Sequence, residues 1–478
     1  LRTCSRYKTA LISPSGYEDQ NLYKRHSRYK KMNFVYVHTH DSGRVMQPYG
    51  YAAENPALME LAREGTVFRQ MYCTAPTCSP SRAGMLTGMT PHECGMLGLA
   101  HRGWMLNDYS KHMGNYLRTQ GYHTALIGVH HECDKKDASP IGYSEWYYRA
   151  GKGNNDTDRG HLEKVKEFLG RAGDLGKPFF LSFGMRNTHR PWPKATDPQP
   201  DYVLPPYPVA DTPETRRDYC DYLESLSRAD ECLGEVMASL NENGLWDDTI
   251  LLFTTDHGLA VPGAKCNMYD SGIGVAFILR RPGQKHAVCD ALCSQIDLFP
   301  TVCDLLGVKK PEWLEGRSMM PLLDGNAEEI NEFVFSEVTF HATYEPMRCV
   351  RSKRYKLIRF YDGGELKKAP NVDESAAKKL YFSTPLSRMP KPREMFFDLA
   401  ADPGERVDLL EGGRLEASDE YRAENAKHSA ALDDRMQRTD DPMLRGENMY
   451  TLGKGKIINP LDGWAPDHET MYVIGDRD

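Results

Sequence analysis

The chain has 478 residues, a formal net charge of -7 and 27% charged residues. That length holds two or three domains and a sizeable core. The acidic balance argues against non-specific nucleic-acid binding, and no apolar run approaches the length of a bilayer span. The twelve cysteines are scattered. Cys289 and Cys293 form a CxxxC, but no pair of CxxC knuckles accompanies it, so neither a structural zinc site nor a disulfide framework is expected.

Residues 1–31 carry eight Lys/Arg against Glu18 and Asp19 and lack the apolar core of a signal peptide. They read as a leader, with Met32 as the natural start. No export signal is visible, which favours a cytoplasmic location. Asn33–Val37 is a short apolar, β-rich run, expected as a buried parallel strand. Asn55-Pro56 with Leu58, Leu61 and Ala62 predicts a helix after a turn. Further strands are expected over Gly121–Gly128, Lys177–Phe183, Thr249–Thr255 and Val275–Leu279. Between them, Leu223, Leu226, Leu233, Val236 or Met237, and Leu240 keep helical spacing over 213–240, with Gly244 at the C-terminal end. Strands alternating with helical stretches predict an α/β fold, a mostly parallel sheet flanked by helices.

The character changes beyond about residue 345. Met347–Phe360 alternates as one strand, Glu394–Leu399 as another, Asp402–Glu405 is a turn, and a polar helix runs over 416–438. A smaller α+β domain with an antiparallel sheet is expected there. The Gly/Lys-rich tail after Arg445 shows no periodicity.

The ionisable residues are not scattered. His40/Asp41, His130/His131, His189 and Asp256/His257 all stand just past the carboxyl end of an expected strand. In open α/β sheets that edge is where ligands bind. Oxygen and imidazole donors from two strand ends, His40 with Asp41 and Asp256 with His257, suit a divalent cation.

Upstream of them lies Cys78-Ser-Pro80-Ser-Arg82, continuing to Leu86-Thr87-Gly88. Pro80 suits the first turn of a helix. The positive end of that helix, with Arg82, can hold an anion beside residue 78. The Cys-x-Pro-x-Arg motif resembles the signature of type I, formylglycine-dependent sulfatases of the alkaline phosphatase superfamily. Three further motifs share the resemblance: Gly121-Tyr122-x-Thr124-x-x-x-Gly128-x-x-His131, Thr188-His189-x-Pro191, and Asp402-Pro-x-Glu405-x-x-x-Leu409. Pro91-His92, Gly95-Met-x-Gly98-Leu99 and Tyr344-Glu-Pro-Met-Arg348 are similar to the sulfamidase-like branch, the N-sulfoglucosamine sulfohydrolases.

The resemblance implies an alkaline-phosphatase-like catalytic domain over 32–345 and a C-terminal subdomain with tail over 346–478. It implies hydrolysis of sulfate esters, or of N-sulfate, on a sulfated sugar such as a glycosaminoglycan. Cys78 would be oxidised by a formylglycine-generating maturation enzyme, and the aldehyde hydrate would attack sulfur. Arg82 and Lys265 would hold the sulfate, His189 would protonate the leaving group and His131 would assist turnover. His40, Asp41, Asp256 and His257, with position 78, would hold a divalent metal. Calcium is the family default, but His40 stands where the family has Asp, which opens manganese or zinc. Val129 stands where the family has a Lys. His92, His101 and Arg348 either touch the sugar or pack. Two rivals remain: a phosphonate monoester or phosphodiester hydrolase of the same superfamily, and a catalytically weak sulfated-glycan-binding protein. No nucleic-acid or membrane partner is expected, and oligomeric state is open.

Overall fold

The structure is a computed structural model describing residues 31–134, 137–363, 367–448, 451, 452, 456–458 and 471–473. The expected leader, apart from Lys31, and most of the tail after Arg445 lie outside the described residues.

An eight-stranded sheet forms the centre. In chain order its strands are β1 (Asn33–Thr39), β2 (Thr66–Phe68), β3 (His123–Gly128), β4 (Glu145–Tyr147), β5 (Phe179–Gly184), β6 (Thr249–Thr255), β7 (Phe277–Arg280) and β8 (Ala287–Cys289). Their spatial order is β4-β3-β5-β1-β6-β7-β2-β8. β1 pairs in parallel with both β5 and β6, Val35 lying opposite Leu181 and Leu251. Every residue of β1, β5 and β6 is buried, as expected for strands covered on both faces. β7 runs antiparallel to β6 and to β2.

Alternate residues face opposite layers. Val35, Val37, Leu181, Phe183, Leu251 and Phe253 pack with α1 (Pro56–Glu64), α3 (Asn154–Arg171) and α4 (Pro213–Glu242). Phe34, Tyr36, Phe180, Ile250 and Leu252 pack on the other side, with Met85 and Leu86 of α2 (Cys78–Thr87) and Phe299 and Val302 of α5 (Leu298–Leu306). α4 opens with Pro213 behind a Thr212/Thr215 capping box and ends at Asn243, with Gly244 at φ +65° just beyond.

The second sheet is an antiparallel meander of β9 (Val334–Phe340), β10 (Tyr344–Arg351), β11 (Tyr355–Phe360) and β12 (Glu394–Asp398). α6 (Asp419–Arg438) covers one face, setting Leu432 and Met436 among Val350, Leu357 and Phe396. Val338, Met347, Cys349 and Ile358 turn the other face toward the main core.

Several expectations need correction. The single strand foreseen over 347–360 is two strands around a turn at Ser352–Arg354, where the Tyr355 N–H donates to Ser352 Oγ at 3.0 Å. Alternation continues across so tight a turn, so the period alone did not expose it. β9 starts upstream of the residue-345 border. α3 was not foreseen, because its apolar stripe occupies only its second half.

Candidate active site

β1, β3, β5 and β6 all end on the same edge of the sheet, and α2 begins there. Thr77, in extended backbone at φ -151°, precedes the helix. Its hydroxyl turns away to His341 Nδ1 at 2.6 Å, so it does not cap the helix. All ten residues of α2 are buried, and the helix stops at Gly88, φ +69°, whose N–H donates to Gly84 O. Cys78 is thus the first residue of a buried helix whose positive end points into the strand-end cluster.

Cys78 Sγ lies 3.3 Å from His257 Nε2 and 3.9 Å from Asp41 Oδ1. His257 Nε2 is 3.2 Å from the same Asp41 oxygen. His257 Nδ1 sits 3.0 Å from the Gly258 carbonyl. A carbonyl only accepts, so Nδ1 carries the proton and Nε2 is the nitrogen presented to the centre. Gly258 has no room for a side chain, since a Cβ there would stand 1.9 Å from Ser271 O. Asp41 takes φ +45°, a left-handed conformation that Asp tolerates better than most residues. Its N–H donates to Asp256 Oδ1 at 2.9 Å.

Arg82 braces the cluster from below. Its Nε and Nη2 donate to Asp256 Oδ2 at 3.2 and 3.0 Å, and Nη2 also reaches Thr39 O at 3.1 Å. Nη1 lies 2.5 Å from His38 Nδ1. Both Arg82 and Asp256 are 1% exposed. Lys265 Nζ lies 3.0 Å from Asp41 Oδ2 and 3.1 Å from Asp373 Oδ2. Burial opposes ionisation of Asp256, but His257 and Arg82 hold its carboxyl well below the usual carboxylate range. Burial likewise opposes ionisation of Asp41, which Lys265 and His189 outweigh.

His40 is the odd member. Nδ1 is 3.3 Å from Asp256 Oδ2 without hydrogen-bond geometry, so both buried ring nitrogens lack a hydrogen-bond partner among the described residues. Burial, aided by Arg82, lowers this imidazole to about 3. It is therefore neutral and free to ligate. His40, Asp41, Cys78 and Asp256 each offer a donor atom within 4.8 Å of the others. An orphaned buried imidazole beside two ionised carboxylates is a donor set that fits a divalent cation.

Burial pushes the Cys78 thiol well above its usual value, against the pull of Lys265. The unmodified side chain is then a neutral thiol at pH 7 and not a thiolate nucleophile.

The two remaining histidines rim the cluster. The His131 ring stands 5.1 Å from that of His40 and 6.2 Å from that of exposed His101, and its Nδ1 is buried without a hydrogen-bond partner among the described residues. His130 packs elsewhere, beside Cys133 and Glu132 at 3.7 and 3.8 Å. The His189 ring is 5.5 Å from His40. His189 Nδ1 is 2.5 Å from Arg190 O, which leaves Nε2 for proton transfer. The loop carrying His189 is pinned by Asp158 of α3, whose carboxylate accepts from the Arg186 and Asn187 N–H groups at 2.5 and 2.9 Å.

Of the two roles open to His92 and Arg348, sugar contact or packing, the structure shows packing, in a buried network. His92 Nδ1 lies 2.6 Å from Glu337 Oε2, and Arg348 grips both oxygens of Asp441 at 2.6 and 3.0 Å. Sequence reasoning missed Asp373, His38, His341, Gln295 and Asp158. Only His38 left a signal, in β1 two residues before His40 at the strand's end.

Comparison with known proteins identifies the family. The model of the Sulfatase family matches residues 16–308, and that of the N-sulphoglucosamine sulphohydrolase C-terminal region matches residues 263–376. Human N-sulphoglucosamine sulphohydrolase is 27% identical over 379 residues, covering 69% of this chain and 74% of its own. An ulvan-active sulfatase of Formosa agariphila is 26% identical over 437 residues, covering 80% and 71%. A solved structure of BT4656 in complex with its substrate D-glucosamine-2-N,6-O-disulfate aligns with a TM-score of 0.68 and 19% identity, covering 86% of this chain and 99% of that one. That likeness is one of fold: the mostly parallel sheet flanked by helices with a C-terminal antiparallel sheet is the alkaline-phosphatase-like sulfatase architecture. Because the first family match alone spans more than half of the sequence, this chain belongs to the Sulfatase family, and with it to the sulfuric ester hydrolases.

Proposed function

We propose that the protein hydrolyses a sulfate ester or N-sulfate of a sulfated carbohydrate, residue 78 acting after its conversion to formylglycine. One observation carries the reading: a neutral, buried Cys78 at the head of α2, 3.3 Å from His257 Nε2 and inside the cluster of His40, Asp41 and Asp256. Sγ stands where the oxygens of the aldehyde hydrate would lie. That group supplies an oxygen nucleophile and, afterwards, a route for releasing sulfate. A maturation enzyme must install it.

The chain's own residues do the rest. Lys265, between Asp41 and Asp373, offers the ammonium that meets the transferred sulfate. Arg82 holds Asp256 and, through it, the strand end on which the sulfate rests. Fixed charges of this kind, aimed at charge that develops in the transition state, are worth most in a water-poor site. His189, with Nδ1–H committed to Arg190 O, delivers a proton from Nε2 to the departing oxygen or nitrogen. His131 stands across His40 and takes up the proton released when sulfate leaves. A divalent cation held by His40, Asp41, Asp256 and His257 would neutralise sulfate charge. Two imidazoles beside two carboxylates suit manganese or zinc as well as calcium. Residues 32–345 form the catalytic domain in this reading, and the segment after 346 closes the site from the side of Asp373.

The sugar follows from the relatives: one is named for N-sulphoglucosamine, one for ulvan, and one was solved with a glucosamine disulfate. The test is sulfate release by protein co-produced with a formylglycine-generating enzyme. Sulfated mono- and disaccharides are set against the matching phosphate and phosphonate esters. The expected result is turnover of a sulfated sugar at least tenfold above any phosphorus ester. The reverse order would assign the phosphonate or phosphodiester rival, and tight binding without turnover the glycan-binding one.

A further inference from the structure

Asp373 enters the site from the far side of the fold. It lies on the connection between β11 and β12 and belongs to neither strand. Its flanks are anchored. Asn371 Oδ1 accepts the N–H groups of Ala342 and Thr343 at 3.0 and 2.9 Å, and its amide donates to Glu345 Oε2 at 2.8 Å. Two residues further on, Ser375 caps a short helix by accepting from Lys378 N at 3.0 Å. The carboxylate is therefore held in place before any ligand arrives, which lowers the ordering cost of binding.

Its position is unusual for a pocket that takes an anion. Asp373 Oδ2 lies 3.1 Å from Lys265 Nζ, which already has Asp41 Oδ2 at 3.0 Å. One ammonium thus faces two carboxylates. Asp373, Asp41 and His189 present donor atoms within 4.8 Å of one another. His341, the next imidazole along this wall, has its Nδ1 bonded to Thr77. The Asp373 side chain stays 20% exposed, with a His189 ring nitrogen within 4.8 Å of its carboxylate. A carboxylate there weakens the hold on a bare anion. It is repaid only if the rest of the substrate brings hydrogen-bond donors to it.

We propose that Asp373 reads the leaving group: its carboxylate accepts hydrogen bonds from the amine or hydroxyl groups of the sugar next to the scissile sulfate, and it disfavours leaving groups that carry no such donors. The assignment rests on the sulfatase reading above. Losing a hydrogen bond to a charged acceptor costs about tenfold to a hundredfold in kcat/KM. A site built around a buried polar group rejects partners that leave it unpaired.

The test compares formylglycine-bearing wild type with Asp373→Asn and Asp373→Ala on a sulfated glucosamine and on 4-nitrophenyl sulfate, whose leaving group has no N–H or O–H. The sugar sulfate should lose about tenfold to a hundredfold in kcat/KM while the aryl sulfate changes by less than about threefold. Product binding gives a reading that needs no turnover. Glucosamine should bind the wild type and be lost in both variants, with inorganic sulfate bound as tightly or more so. Equal losses on both substrates, with sulfate binding weakened, would overturn the proposal and reduce Asp373 to a support for Lys265. Unchanged sugar kinetics and glucosamine binding would overturn it as well. A formylglycine-bearing wild type that releases no sulfate from either compound would instead sink the sulfatase reading, and this assignment with it.

Discussion

The Arg82–Asp256 pair is where the fold and the site meet, and its removal has a magnitude that the geometry sets. Arg82→Met keeps the length of the stem and deletes the guanidinium. Asp256 Oδ2 then loses both of its Arg82 contacts, at 3.2 and 3.0 Å, while Oδ1 keeps the N–H groups of Asp41 and His257 at 2.9 and 3.0 Å. Breaking a buried pair from one side costs roughly 3–5 kcal/mol, because the remaining charge stays buried. Two retained backbone donors place Arg82→Met near the lower end, about 3 kcal/mol. His38 Nδ1 and Thr39 O also lose their partner. Arg82→Lys restores the charge without the planar fork and should recover only about half of the loss. Adding Asp256→Asn to Arg82→Met removes the stranded charge, so the double variant should be more stable than the sum of the single losses by about 2–3 kcal/mol. The assay is urea unfolding followed by far-ultraviolet circular dichroism and tryptophan fluorescence, read where the two transitions coincide. An Arg82→Met protein within about 0.5 kcal/mol of wild type, or a cycle with no coupling, would refute the reasoning.

Other outcomes follow from the same geometry. Asp158→Ala should leave the fold intact but free the 186–189 loop, lowering kcat by about tenfold or more with little change in KM, because a displaced His189 costs proton transfer and not binding. Steady-state kinetics on a sulfated sugar check it. Lys265→Ala should lower kcat/KM by roughly 100- to 1,000-fold on every sulfate tested, as removal of one fixed donor to the developing charge does. Glu337 and Asp441 raise the His92 pKa above its ordinary value, outweighing burial. A raised folded pKa stabilises the fold fully below the unfolded value and loses that contribution as pH climbs through the folded one. Wild type should therefore exceed His92→Gln in melting temperature most at pH 6 and least at pH 9. Chelator treatment should lower the melting temperature of metal-loaded protein, and His40→Ala should abolish that difference.

The parts of the molecule that were legible have a common physical basis. β1, β5 and β6 are buried on both faces, so they appear as nearly continuous apolar runs, and the polar pairs that end them stand out. That is why His40, Asp41, Asp256 and His257 are visible as one edge in the sequence alone, with the Cys78 motif as its neighbour. The direction of β7 was not legible, because a four-residue apolar strand carries no mark of parallel or antiparallel pairing. α3 was hidden by its buried polar face: Asn154, Thr157, Asp158 and His161 are all covered, and Asp158 is there to hold the His189 loop. Asp373 was beyond reach for a different reason. It is a lone carboxylate in an irregular connection, and only the packing of the second sheet against the first brings it to Lys265. Gln295 is similar. Its amide bridges Thr255 O at 2.7 Å and Ser81 Oγ at 3.2 Å, a brace between β6 and α2 that no local pattern announces.

The central claim is that residue 78 works as formylglycine. Its most direct test is the mass of the tryptic peptide Gln70–Arg82, taken from protein made together with an active formylglycine-generating enzyme. Fragment ions separate Cys78 from Cys73 in the same peptide. The account predicts an aldehyde or its hydrate at position 78, an intact thiol at Cys73, and sulfate release that scales with the converted fraction. An unmodified thiol at 78 in protein that nonetheless turns over sulfated sugar, or full conversion with no turnover of any sulfate, would contradict it.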